Sequence, residues 1–174
     1  MSVADAKETS ATTTLTIVSG GQPGAARAAL DFALAHHLPH DGWCPRGRLA
    51  EDGPIDPRYR LRETETSRYD ERTRRNIDQS DATVVFSPTK SPTGGTQLTL
   101  DYARRVGKPV LHLAESASKP VAAHAAALRG FIATHRVSRL NVAGPRASQA
   151  PGIASFVTDV LTLAFQETTC TCNA

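Results

Sequence analysis

The chain has 174 residues, of which 40% are hydrophobic and 21% charged, as expected for one ordinary globular domain. It contains no apolar run long enough to predict a membrane-spanning helix, and a net charge of +3 is too small to indicate a nucleic-acid-binding protein. Sixteen of the 20 basic residues are arginine, whose planar guanidinium suits phosphate and carboxylate groups, so the composition favours an anionic ligand.

The two ends of the chain are predicted to be tails. Residues 1–13 lack the apolar core of a secretory signal, so we expect a disordered N-terminal tail in a cytoplasmic protein. A single ligand-binding domain is predicted over residues 14–167, followed by a flexible tail over residues 168–174. The cysteines Cys44, Cys170 and Cys172 are odd in number and unevenly spaced, which argues against a disulfide framework.

The first half of the domain begins with a short apolar strand at residues 15–19. A glycine-rich turn follows, and Pro23 is predicted to be the first residue of a helix because proline fits that position. The apolar face of this helix comprises Ala25, Ala28, Ala29, Phe32 and Ala33. A second helix, predicted over residues 67–80, has an unusually polar inward face formed by Tyr69, Arg72, Thr73, Asn76 and Ile77.

In the second half, strands and helices alternate regularly. Strands are predicted at residues 82–87, 109–113 and 138–144, and helices at residues 97–106, 120–135 and from residue 151 onward. The last helix carries an apolar stripe formed by Ile153, Phe156, Val157, Val160, Leu161 and Ala164. Such alternation predicts an α/β fold of Rossmann-like, doubly wound type, with helices on both faces of a mostly parallel sheet.

Three loops follow directly after predicted strands, and they read SGGQPG, SPTGGT and AGPR. Because ligands of parallel sheets bind outside the carboxyl ends of the strands, these loops are predicted to converge on one site. In the first loop, Gly20 and Gly21 permit either a tight turn or a backbone cradle for an anion at a helix N-terminus. The second loop, from Thr93 to Thr96, repeats this arrangement, and the pair of loops favours a phosphate-bearing ligand.

Two further regions are candidates for the same site. Arg72 is predicted either to reach a ligand or to form solvated ion pairs on the helix surface. Residues 40–62 form a long segment rich in glycine and proline, and Trp43 and Tyr59 argue against its being disordered.

Motifs of catalysis and metal binding are not apparent. The sequence contains no GxSxG motif, Cys44 has no visible base, and the six histidines form no HxxxH or HExxH ligand pair of the usual sort. We therefore predict no catalytic residues and no metal ligands.

Several stretches share a pattern with a known family, and they read SGGQPGAARAALDFA, PHDGWCPRGRLAEDGPI, YRLRET, SPTGGTQLTLDYARRVGKPVL and LNVAGPRASQAPGI. Together they resemble the family of molybdenum cofactor carrier proteins over about residues 15–165. The resemblance implies a Rossmann-like domain that forms homo-oligomers. It also implies binding of the molybdenum cofactor, a pterin with a dithiolene and a terminal phosphate, which is protected before transfer from cofactor-synthesis proteins to molybdoenzymes.

Candidate binding residues follow from the motifs and the resemblance. The predicted set comprises Gly20, Gly21, Gln22, Gly24, Arg27, Trp43, Arg48, Arg72, Asn76, Thr93, Gly94, Gly95 and Thr96. The first loop departs from the family pattern GGQTGVDRAALD, because Pro23 replaces a threonine and Ala26 an aspartate. Roles of those two side chains cannot be transferred.

An enzymatic function is the main alternative. The wider superfamily includes lysine-decarboxylase-like phosphoribohydrolases that carry PGGxGTxxE, and alignment of the GT pair places Thr99 at the glutamate. A threonine hydroxyl does not titrate near neutral pH and cannot replace that group. A hydrolase of nucleoside 5′-monophosphates would need another carboxylate, such as Asp101. A nucleotide-sensing or DNA-binding module is the third possibility.

Overall fold

The computed structural model describes residues 14–166, so the predicted tails, with Cys170 and Cys172, lie outside the described residues. In chain order its elements are β1 (Thr16–Val18), α1 (Ala25–Ala35), β2 (His40–Asp41), β3 (Trp43–Cys44), a 3-10 turn (Arg46–Arg48), β4 (Arg62–Glu63), α2 (Tyr69–Asp78), β5 (Ala82–Ser87), α3 (Gly94–Arg105), β6 (Val110–Ala114), α4 (Val121–His135), β7 (Arg139–Ala143) and α5 (Ile153–Phe165). The predicted α/β class is confirmed.

The main sheet has five parallel strands in the order β2-β1-β7-β5-β6. If the strands are renumbered from β7, so that β7, β1, β2, β5 and β6 become strands 1 to 5, the order reads 3-2-1-4-5. This is the order of a Rossmann-like sheet. The last strand of the chain therefore occupies the central position that the first strand usually takes. The strand order changes direction between β7 and β5, and a crevice outside their carboxyl ends is the usual ligand site of such sheets.

Helices cover both faces of the sheet. On one face, α5 packs against α1 and α4, and the predicted stripe of α5 is entirely buried in the main core. Alternate residues of β5 serve the two faces: Val84 and Phe86 belong to this core, whereas Thr83 and Val85 are buried on the side of α2 and α3. This period of two is what a parallel strand buried on both faces requires.

The starts of α1 and α3, which follow the glycine-rich loops, differ from the sequence-based expectation. Helix α1 begins at Ala25 rather than at Pro23, because Gly24 occupies the N-cap position with a φ of 109°, which is not a helical value. Helix α3 begins at Gly94. The sequence-based prediction placed its start three residues later, at residue 97, because glycine has a low helix propensity. Gly107, with a φ of 71°, follows the end of α3 as predicted.

The long segment after α1 is ordered and contains short strands that were not predicted. Strand β2 pairs with β1 at the edge of the main sheet, and β3 pairs with β4 in parallel. Each of these strands has only two residues, too few for an alternating pattern to be visible in the sequence. The segment closes over a small apolar cluster formed by Leu30, Cys44, Ile55 and Tyr59.

Candidate ligand-binding site

A cavity of about 350 Å³ lies at the carboxyl ends of β1 and β7, between α2 and α3. Its volume falls within the usual range for small-molecule sites. The loop after β1 contributes Gly20 and Gln22, the start of α3 contributes Gly95 and Thr96, and the loop after β7 contributes residues 143–146. The three loops predicted from the sequence to converge therefore meet in one cavity.

Arg72, on the inward face of α2, is the central charged group of this cavity. Its side chain lies over Gly20, and its Nε atom is shielded from solvent without a hydrogen-bond acceptor. Burial of the guanidinium, and secondarily the positive charge of Arg146, lower the pKa of Arg72 to about 10. The group still carries its charge at neutral pH, because a pKa near 10 is well above 7. Of the described residues, none provides a carboxylate to pair with it.

Arg146 lies on the other wall of the cavity, in the loop after β7. Its guanidinium carbon is 4.3 Å from the ring centre of Tyr69, and that of Arg72 is 5.9 Å from the same ring. Two like charges therefore share one aromatic ring. Cation–π contacts leave guanidinium N–H groups free to donate, so both side chains can bind an anion without losing these contacts.

The charges that line the cavity sum to an excess of positive charge. The lining includes four arginines, Arg72, Arg74, Arg105 and Arg146, but only two acidic residues, Asp70 and Asp101. Asp70 is already paired, because Arg68 and Arg74 lie 3.0 Å and 3.4 Å from its carboxylate. Such a site attracts anions and repels cations.

The start of α3 offers backbone donors beside these arginines. The amides of Gly94, Gly95 and Thr96 precede the first intrahelical hydrogen bond, and Thr93 makes no side-chain cap. A Cβ built on Gly94 or Gly95 would contact nothing within 4 Å, so this turn faces open space. Free amides at a helix N-terminus favour a negatively charged group, and here they adjoin the cationic cavity.

The first loop is arranged differently from the prediction. The amide of Ala25, at the start of α1, donates to the Pro145 carbonyl at 3.3 Å, and the amide of Ala147 donates to the Pro23 carbonyl at 2.9 Å. A Cβ on Gly24 would lie 2.6 Å from the backbone of the loop after β7. The expected cradle at the start of α1 is therefore covered by the loop after β7, and Gly24 provides room for that loop.

Several other predicted residues are engaged within the protein. A Cβ on Gly21 would overlap the side chain of Leu61. Gln22 donates to the Leu49 carbonyl at 2.8 Å, although it also lines the cavity. Arg27 donates to the Gly21 carbonyl and forms an ion pair with Asp52, which lowers the pKa of that carboxyl through its hydrogen bond.

Arg48 and Trp43 are likewise structural in this fold. Arg48 donates to four carbonyls of the long segment, those of Ile55, Asp56, Tyr59 and Leu61, at 2.7 to 3.2 Å. Trp43 lies outside the cavity lining, between the guanidinium groups of Arg62 and Arg75 at 4.5 Å and 4.8 Å. The structure does not bring these two side chains into the cavity, because the long segment uses them for its own packing, and their contact with a ligand stays a prediction.

Asn76 reaches the cavity lining but has a second task. It accepts from the Trp43 amide at 2.7 Å and donates to the Trp43 carbonyl at 3.0 Å. This double contact fixes α2 against β3. Asn76 therefore holds the helix that carries Arg72.

Thr99 lies in the cavity wall, buried, and its hydroxyl donates to the Gly95 carbonyl at 2.9 Å. Asp101 is exposed at the cavity and accepts a hydrogen bond from Gln97 at 2.7 Å.

Within residues 14–166, no group of three or more His, Cys, Asp or Glu side chains is arranged to hold a metal ion. The helices in that range are all too short or too polar to span a bilayer.

The lining residues that were not among the predicted contacts include Tyr69, Tyr102, Arg105 and Arg146. Arg146 could have been found, because it belongs to the AGPR loop already placed at the sheet edge. Tyr102 and Arg105 are one helical turn apart on α3, a spacing that fits any exposed helix face. Only the packing of α2 beside α3 gives them a common cavity.

Comparison with known proteins agrees with this architecture. The family model described as "Circularly permutated YpsA SLOG family" matches residues 17–165. The chain belongs to this family. The strand order of the sheet, with β7 in the central position, is the circular permutation that the family description names.

A solved structure gives a second match. A protein from Syntrophus aciditrophicus SB, named "Putative molybdenum carrier protein", is 40% identical, and the match covers 88% of this chain and 96% of that chain with a TM-score of 0.84. No match was found among curated proteins. The resemblance noted in the sequence is thereby confirmed for the family.

Proposed function

We propose that this chain binds the molybdenum cofactor, or a related anionic phosphorylated ligand, and protects it before transfer. The observation that carries the proposal is Arg72, a partly buried cation whose Nε atom is shielded from solvent without an acceptor, and which has no carboxylate partner among the described residues. A charge that is partly removed from water and has no partner is costly, so its retention favours an anionic ligand as its partner. In this role the chain would act as a homo-oligomer and exchange the cofactor with synthesis proteins and molybdoenzymes.

The residues present fit a phosphorylated heterocycle. Arg72, Arg146 and the amides of Gly95 and Thr96 provide donors for a terminal phosphate at the inner end of the cavity. The ring of Tyr69 offers an aromatic surface beside them. The name of the Syntrophus aciditrophicus protein, 40% identical, supports a carrier role for this ligand class.

The test is titration of the purified protein with isolated molybdenum cofactor, followed by calorimetry and by the survival time of the cofactor in air. Wild-type protein should bind and prolong survival, and Arg72→Gln should weaken binding at least about tenfold because a charge-assisted hydrogen bond is lost. Arg75→Gln is the matched control, since Arg75 lies on the same helix and neither it nor its partner Glu71 lines the cavity. Equal affinity of wild type and Arg72→Gln would contradict the proposal.

Hydrolysis of nucleoside 5′-monophosphates is the second candidate, favoured by the exposed carboxylate of Asp101 at the cavity. Incubation with AMP at high protein concentration tests it by the release of free base. Release that disappears in Asp101→Asn would establish the enzymatic function. Binding of AMP without release would favour the carrier.

A further inference from the structure

The same cavity contains a second aromatic ring with two arginines. The guanidinium carbons of Arg74 and Arg105 lie 5.8 Å and 5.1 Å from the ring centre of Tyr102. This repeats the arrangement of Arg72 and Arg146 around Tyr69. Tyr102 is held in place by its hydroxyl, which donates to the Asp78 carboxylate of α2 at 3.0 Å.

Within residues 14–166, Arg105 is the unpaired cation of this outer unit, which comprises Arg74, Tyr102 and Arg105. Arg74 shares Asp70 with Arg68, whereas no carboxylate in residues 14–166 pairs with Arg105. Asp101, one turn earlier on α3, lies 3.9 Å from Arg104 instead. Arg105 is exposed at the cavity, so its donors are accessible to a ligand.

Helix geometry sets the distance between this outer unit and the inner unit, which comprises Arg72, Arg146 and Tyr69 beside the start of α3. Arg105 lies ten residues after Gly95 on α3, which corresponds to a rise of about 15 Å. Because helical side chains lean toward the N-terminus by roughly one turn, the guanidinium of Arg105 comes to about 10 Å from the anion position at Gly95. The exposed side chain of Leu98 lies between the two ends.

We propose that Arg105, with Arg74 and Tyr102, forms an outer subsite for a second negatively charged group of the ligand. The ligand class is a phosphorylated heterocycle that carries a further phosphate or carboxylate roughly 6 Å from the first, because an anion paired with Arg105 lies about 4 Å from its guanidinium carbon on the side of the cavity. This inference rests on the proposed function, because the inner unit must hold the first phosphate. The outer subsite adds selectivity for doubly anionic ligands over singly phosphorylated ones.

Calorimetry with guanosine 5′-monophosphate and guanosine 3′,5′-bisphosphate tests the proposal, because guanine shares its amino–oxo pyrimidine edge with pterin. Wild type should bind the bisphosphate about tenfold more tightly than the monophosphate. Arg105→Gln should remove this preference, because it should lower the affinity for the bisphosphate by a larger factor than the affinity for the monophosphate. Arg104→Gln, which removes the same charge from the adjacent position outside the cavity lining, should retain the preference.

The possible outcomes separate the two proposals. If the monophosphate binds and the bisphosphate binds no more tightly, the outer subsite is overturned and the inner site stands. If Arg105→Gln and Arg104→Gln lose the preference equally, the preference comes from the overall positive charge of the region, and the subsite is again overturned. If wild type binds neither nucleotide at millimolar concentration, this inference falls, and titration with isolated cofactor then decides the proposed function independently.

Discussion

The side chain of Arg72 occupies the space that any side chain at Gly20 would need. A Cβ built on Gly20 would lie 2.6 Å from Arg72 Cδ and would overlap its Nη1 atom. The first glycine of the loop after β1 is thus required by a protein side chain, and that side chain is the partly buried cation of the cavity. We therefore expect Gly20 to affect ligand binding through the position of Arg72.

Gly20→Ala is expected to weaken ligand binding with little loss of stability. The new methyl group displaces the guanidinium end of Arg72, which is flexible, and Gly20 does not have a positive φ that would strain alanine. We expect an affinity loss of about tenfold, similar to Arg72→Gln, because the same charge-assisted contact is lost. Calorimetric titration with isolated cofactor measures the first effect and thermal unfolding the second. A double variant with Arg72→Gln should bind no worse than either single variant, and additive losses would contradict the coupling.

Gly24→Ala is expected to destabilise the protein rather than act on the ligand directly. Gly24 has a φ of 109°, and its Cβ would lie 2.6 Å from Ala147 N and Pro145 O, both backbone atoms. Strain of this kind costs about 1–3 kcal/mol of unfolding free energy, and the steric contact adds to it. Gly53→Ala is the matched control, since Gly53 has a φ of 111° and open space around it. If urea unfolding gave equal losses of unfolding free energy for Gly24→Ala and Gly53→Ala, the contact of Gly24 with the loop after β7 would contribute nothing to stability.

Gly130→Ala is expected to stabilise the protein. Gly130 is exposed within α4, and a Cβ there would meet nothing within 4 Å. Replacing a glycine inside a helix by alanine raises the unfolding free energy by about 0.5–1 kcal/mol, because glycine loses more backbone entropy on folding. Differential scanning calorimetry should show a rise in Tm of about 2–4 °C. A lower Tm would indicate that Gly130 has a contact that the described residues do not provide.

His124 is expected to make stability depend on pH. It is 2% exposed, both ring nitrogens lack partners, and its ring lies 5.1 Å from that of Phe156. Burial, and secondarily the charge of Lys119, lower the pKa of His124 below its usual 6.5. The unfolded chain therefore binds a proton more readily than the folded protein, and stability falls as the pH drops below about 6.5.

Urea unfolding of His124→Leu between about pH 7.5 and pH 5 measures this contribution. The variant should lose less stability than wild type over that interval. At neutral pH it should be more stable by about 1 kcal/mol, since an unsatisfied buried polar group is removed. The pKa values of His40 and His112 are also lowered by burial, so some pH dependence should remain in the variant. Parallel pH profiles of wild type and variant would contradict the assignment to His124.

The sequence predicted the fold better than it predicted the contacts of its loops. The apolar stripe of α5 and the buried strand β5 were visible because local periodicity reports which face is buried. The short strands β2, β3 and β4 were missed, since two residues carry no period. For the site, the convergence of three loops and the inward position of Arg72 could be predicted, whereas the structural use of Arg48 and Trp43 could not.

By itself, the sequence determined the alternation of strands and helices and the places where glycine follows a strand, because both depend on neighbouring residues. The tertiary structure alone decided that β7 lies between β1 and β5, and hence which loops share the cavity. It also decided that Gly24 makes room for the loop after β7 and Gly20 for Arg72. These relationships join residues far apart in the chain, such as Ser19, which donates to the Val142 carbonyl across 123 positions. No local pattern encodes such pairings, since they depend on how the complete sheet brings distant segments together.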